Sequence, residues 1–91
     1  PGSGLDCSGL TQQAYKAHGI NISRTTWTQI NDGRSVGLSN IAVGDLVFYN
    51  NTNHVAIYIG DGKVVHAPQP GDVVKVASVN MMPVERVVRI L

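Results

Sequence analysis

The sequence predicts an α+β domain, with helices at the start packed on an antiparallel sheet. Three observations carry this expectation. Helix-period segments come first and short β-type runs follow. Tight turns separate the β-type runs, as antiparallel neighbours allow. The 91 residues are 43% hydrophobic and 14% charged, enough for one modest core and too apolar for a solvated tail.

Pro1 to Gly4 reads as loop. Leu5 to His18 is the first predicted helix: Leu10, Ala14 and Ala17 recur at helical spacing. Asp6 and Ser8 can cap its start, and Gly19 can end it. Thr25 to Asp32 forms a weaker helix stopped by Gly33, because threonine disfavours helix interiors. Leu46 to Tyr49 is the first strand, after a turn at Val43-Gly44-Asp45 in which Asp45 is a turn residue. Asn50 to Asn53 is a polar loop that can form a mobile rim. His54 to Ile59, Lys63 to Ala67, Val73 to Val79 and Val84 to Leu91 complete the strands, with a break at Pro68 to Gly71. Val55, Ile57 and Ile59 alternate with Ala56 and Tyr58, so the sheet is expected to be covered on both faces. Tyr58 reads as a packing residue, and Trp27 as core, with a groove wall allowed by its place beside Thr26.

Composition excludes several functions. Net charge is +1, and the seven Lys+Arg are scattered from Lys16 to Arg89, so no nucleic-acid footprint is expected. No apolar run approaches the ~20 residues that span a bilayer. One cysteine excludes an internal disulfide framework and a multi-cysteine zinc finger.

Cys7, at the first turn of a predicted helix, is well placed to ionise, because free helix N–H groups favour an anion there. The competing reading is a buried structural cysteine. A nucleophile needs a base, and three histidines are available. His18 reads as a dipole-complementing residue at a helix end. His54 and His66 fall on one predicted hairpin. A two-residue turn at Asp61-Gly62 puts Gly60 opposite Lys63 and His66 opposite Ile57, so the two rings point to opposite faces. A three-residue loop with a left-handed Gly62 puts Ile59 opposite Lys63 and His66 opposite Ala56, on the face of His54. Both turns are permitted. Cooperation between the histidines requires the bulged one or an equivalent slip, and the bulged loop is the expectation.

Leu5-Asp6-Cys7-Ser8-Gly9-Leu10 resembles the nucleophile motif of the NlpC/P60 family of cell-wall cysteine peptidases. Arg24 to Gln29, Val43 to Phe48, His54 to Gly62 and Val65 to Pro68 resemble further segments of that family, in order. The details are most similar to secreted actinobacterial members. The resemblance implies a papain-like fold and hydrolysis of amide bonds in peptidoglycan stem peptides, typically between D-γ-glutamate and diaminopimelate. It implies Cys7 as nucleophile, His54 as base and then acid, and His66 as the residue orienting His54. The Cys7 N–H becomes a donor to the oxyanion. Asp6, Ser8 and Thr26 become substrate-groove residues. No cofactor is implied, and the location is extracellular, at the cell wall. Members usually carry a helix and an aromatic-Gly-Gly segment upstream. The chain therefore reads as one N-terminally truncated catalytic domain, with self-association through uncovered apolar surface. Three other readings stand beside the peptidase: a stem-peptide binding module, a zinc site from Cys7, His54 and His66, and a related Cys–His amidase.

Overall fold

The computed structural model describes residues 6–68 and 74–90. Helix α1 (Cys7–Lys16) and the one-turn helix α2 (Thr26–Gln29) come first. Strands β1 (Arg34–Val36), β2 (Leu46–Tyr49), β3 (His54–Gly60), β4 (Lys63–His66), β5 (Lys75–Ser78) and β6 (Arg86–Arg89) follow, with a 3-10 turn at Leu38–Asn40 before β2. Among the described residues these strands form one sheet, ordered β1-β6-β2-β3-β4-β5, with every neighbouring pair antiparallel. The fold is α+β, as predicted.

Sheet position follows apolar content. Leu46-Val47-Phe48-Tyr49 has no polar alternation, and all four residues are buried. Such a run must be covered on both faces, and β2 lies between β6 and β3. Leu46, Phe48, Val55 and Val88 pack on one face with Tyr15 of α1 and Ile22. Val47, Tyr49, Ala56 and Val64 pack on the other with Val79, and Ile41, Met81, Met82 and Val84 lie against them. The expected double covering is present, with a helix on one side and loop residues on the other.

The buried face of α1 departs from the expectation. Ser8, Gly9, Thr11 and Tyr15 are buried, while Ala17 is exposed. The stripe is polar because its partner is polar. The Thr11 hydroxyl contacts Gln29 Oε1 at 2.6 Å and the Ser8 carbonyl at 2.9 Å. The Gln29 amide donates to the carbonyls of Ser8 and Ser23, each at 2.8 Å. Gln29 is fully buried with all its polar atoms engaged, which makes burial of an amide affordable. The second helix stops at Gln29, short of the expected Asp32. Asp32 turns back instead and accepts from the Ser23 N–H at 2.6 Å and its hydroxyl at 2.9 Å.

Strand β1 was not expected. Arg34-Ser35-Val36 has no apolar signal of its own, and the edge of β6 supplies its backbone partners. Asp45 does more than turn the chain. It takes a two-pronged pair from Arg89, both contacts 2.9 Å, and caps the Ala42 N–H. Leu5, Val73 and Leu91, assigned to elements from sequence, lie outside the described residues.

Replacing Gln29 with leucine keeps the volume and removes one hydrogen-bond partner from each of three polar groups. We expect Gln29→Leu to lose about 2 kcal/mol or more of stability, read as a lower urea midpoint at unchanged m value.

Candidate active site

Helix α1 begins on Cys7, with Asp6 as its N-cap in extended conformation. The Asp6 carboxylate accepts the Gly9 N–H at 2.7 Å, which satisfies one of the free donors of the first turn. Gly9 is needed for this. A Cβ there would stand 2.8 Å from Asp6 Oδ1 and drive the carboxylate away. Arg24 grips the same carboxylate with both terminal nitrogens, each at 3.0 Å, and donates to the Ser8 hydroxyl at 3.0 Å. The Arg24 hydrogen bonds hold the Asp6 carboxyl below the usual carboxylate range, with the Gly9 N–H assisting against burial. Arg24 is held charged by Asp6 first and by Cys7 to a smaller extent.

Cys7 is half-buried and packs beside the α1-side core. His54 opens β3 and His66 closes β4, and both are buried. Alternation puts His54 on the sheet face opposite the one against which Cys7 packs. They still border one groove, because His54 is the first residue of its strand, at the end of the sheet. That groove, about 620 Å³, is bordered on one side by Asp6, Cys7, Ser8, Arg24, Thr26 and Trp27. Asn53, His54, Ala67 and Pro68 border it as well.

His54 Nε2 and His66 Nδ1 are 2.8 Å apart, with the rings edge to face. One ring donates and the other accepts. If His54 donates from Nε2, its Nδ1 keeps a lone pair for a second partner. Among the described residues no three His, Cys, Asp or Glu side chains are grouped to hold a metal ion.

The register that brings the rings together differs in detail from the expected loop. Asp61 and Gly62, at φ 55° and 72°, form a two-residue turn, and Gly60 pairs with Lys63. The slip lies inside β3. Tyr58 pairs with Val64, so Ile59 is the extra residue, and Gly60 takes up the bulge at φ 98°. The turn is the one matched to strand twist, and the glycine before it absorbs the misfit. Ile57 opposite Val65 then carries His66 to the face of His54.

Both imidazoles are held toward neutrality. Burial is the main cause for each; His66 adds to it for His54, and the Lys75 ammonium adds to it for His66. Lys75 faces His66 across the β4–β5 ladder, a role the sequence did not signal.

The loop before His54 is held rather than loose. Asn50, Asn51 and Thr52 all have positive φ, which is costly for a β-branched threonine. Glu85 compensates. It accepts the Thr52 N–H at 2.7 Å, and its own N–H donates to the Phe48 carbonyl at 2.8 Å. Trp27 is not a core residue: it is 59% exposed at the groove. Thr26, beside it, is buried.

The NlpC/P60 family model matches residues 1–90. The chain belongs to that family. It is 39% identical over 85 residues to a γ-D-glutamyl-L-lysine dipeptidyl-peptidase of Bacillus cereus, an alignment covering 87% of this chain and 26% of that protein. The peptidoglycan hydrolase RipB of Mycobacterium tuberculosis superposes with a TM-score of 0.88 at 35% identity, covering 97% of this chain and 46% of that one. RipD of the same organism, described as a non-catalytic NlpC/p60 domain protein adapted to peptidoglycan binding, superposes with a TM-score of 0.84 at 34% identity, covering 97% of this chain and 68% of that one. The NlpC/P60 chain thus spans about a quarter of its curated Bacillus relative and just under half of RipB.

Two predictions follow from the geometry. In the unfolded chain the histidines titrate near the usual 6.5. Below that pH the unfolded state binds protons that the folded rings refuse, so stability present at neutral pH is lost as pH falls through the lowered folded values. We expect the melting temperature to drop as pH falls below 6.5, with a shallower slope in His66→Gln. The Asp6 window lies apart, below 3.8. Separately, Glu85→Ala leaves the Thr52 N–H without its acceptor and should cost about 1 kcal/mol. Glu85→Gln, which keeps an acceptor oxygen, should recover most of it in the same thermal melts.

Proposed function

We propose that this domain is a cysteine peptidase that hydrolyses an amide bond of peptidoglycan stem peptides, at the cell wall. Membership of a family whose relatives are named peptidoglycan hydrolases supports the substrate class. The observation that carries the mechanism is the 2.8 Å contact between His54 Nε2 and His66 Nδ1, which leaves His54 Nδ1 for Cys7 across one groove.

The chemistry runs as follows. His54 Nδ1 takes the Cys7 thiol proton as Sγ attacks the amide carbon. The tetrahedral oxyanion accepts the Cys7 N–H, a first-turn donor with no intrahelical partner. The imidazolium returns its proton to the leaving nitrogen, the C–N bond breaks, and a thioester remains. His54 then deprotonates a water that attacks the thioester, which releases a carboxylate and restores the thiol. His66 serves as an acceptor throughout, so it must stay neutral, and burial and Lys75 both favour that. Asp6 and Ser8, braced by Arg24, shape one wall of the groove with Thr26.

The bond proposed is the one between D-γ-glutamate and the diamino acid, in accord with the name of the Bacillus cereus relative. A second reading, binding without cleavage, is favoured by the similarity to RipD. Cys7 and His54 border one groove and His66 contacts His54, which supports the peptidase.

The test is incubation of the chain and its Cys7→Ala variant with a purified stem tetrapeptide, followed by mass spectrometry. We expect cleavage by the parent chain only, with a loss of about 10⁴-fold or more in the variant. Equal cleavage by both would refute the mechanism.

A further inference from the structure

The hydrogen bond with His66 fixes one nitrogen of the His54 ring and leaves the ring free to pivot about that point. Catalysis asks more of it. The other nitrogen, Nδ1, must meet Cys7 across the groove, and a misplacement of about 1 Å can cost about 100-fold in rate. The plane of the ring therefore has to be fixed as well, by a neighbour lying against it.

Tyr49 occupies that place. It ends β2, His54 opens β3, and the two are directly opposed in the ladder. Directly opposed residues of an antiparallel pair project to the same face, close enough to touch. The two ring centroids stand 6.0 Å apart, with 35° between the planes. His66 meets the same imidazole edge to face at 5.1 Å. His54 is thus flanked by one ring from each neighbouring strand, Tyr49 from β2 and His66 from β4.

Tyr49 is itself anchored. It is fully buried, and its hydroxyl donates to the Val79 carbonyl at 2.8 Å. The Val79 N–H in turn donates to the Gly62 carbonyl at 2.8 Å, in the turn between β3 and β4. Burial pushes the phenol up to about 12, so the hydroxyl keeps its proton at neutral pH. A phenylalanine would fill nearly the same space. The hydroxyl adds a tether that stops the ring from sliding in its slot. Being buried, Tyr49 does not touch substrate, so it acts on the reaction through His54.

We propose that Tyr49 is a positioning residue: its tethered ring fixes the plane of the His54 imidazole, and with it the direction of Nδ1. This rests on the cysteine-peptidase reading and adds to it the residue that holds the base in place.

Turnover of the stem tetrapeptide would be followed for the parent chain, Tyr49→Phe, Tyr49→Leu and Val87→Ala, each below its melting temperature. Val87 is buried on β6, which does not pair with β3, so its truncation reports what looser packing does by itself. We expect kcat to fall about tenfold in Tyr49→Phe and about 100-fold in Tyr49→Leu, with KM within about twofold of the parent. Val87→Ala should keep the parent kcat. A parent-like kcat in Tyr49→Phe would overturn the proposal, whether or not Tyr49→Leu folds. So would a loss expressed in KM, or an equal loss in Val87→Ala.

The imidazole nitrogen resonances of the Cys7→Ala chain supply a readout that needs no turnover. His54 is assigned by the loss of its signals in His54→Gln. We expect its two ring nitrogens to be well separated, as in one fixed tautomer, and to draw together when Tyr49→Phe is added, because a freed ring keeps the His66 contact only part of the time. Nitrogens unmoved by that substitution would overturn the proposal too. No cleavage by the parent chain, together with this movement, defeats the peptidase and leaves the positioning of His54 by Tyr49 standing. Cleavage that Tyr49→Phe leaves unchanged defeats the positioning alone.

Discussion

A hydrogen bond between two imidazoles survives only while the accepting ring keeps its lone pair. The contact between His54 and His66 makes that demand at the centre of the site. Much of the surrounding architecture serves it. The two rings come from neighbouring antiparallel strands, so they meet only in one phase of the ladder. The bulge at Ile59 and Gly60, midway along the twelve residues that separate the two rings, sets that phase. Burial and the Lys75 ammonium then favour the uncharged form of His66. Register, burial and a third strand thus converge on the contact between the two rings.

The opposite wall of the groove is built on different physics. Apolar packing is sparse there, and hydrogen bonds do the positioning. Asp6 caps α1 and binds Arg24 with the same carboxylate. Gln29 ties α1 to α2 and to the connector between them. A hydrogen-bonded brace has direction as well as strength, which suits a segment that presents Cys7 at its first residue. It also explains glycine at position 9, where any side chain would displace the cap.

Strain is concentrated next to the site. Three successive left-handed residues lead to His54 at the start of β3, and the Glu85 carboxylate holds the last of them, Thr52. The site therefore stands on a rigid sheet on one side and a polar brace on the other. The groove between them meets solvent at Trp27.

Local signals in the sequence determined much of this protein. The strand cores at Leu46–Tyr49 and His54 onward, the N-cap at Asp6, the glycine after α1 and the family motifs around Cys7, His54 and His66 were all legible, because each depends on residues adjacent in the chain. Other features were not. The polar face of α1 looked unfavourable until Gln29, eighteen residues beyond Thr11, supplied its partner. Strand β1 has no signal apart from the edge of β6. Trp27 read as core or as groove wall, and it lies open at the groove. The hairpin allowed two phases, and only the folded ladder selected one, through a bulge placed differently from the expected loop. Short-range chemistry decides which elements form. Which polar groups find partners, and which faces stay open, is decided by residues that only the tertiary fold brings together.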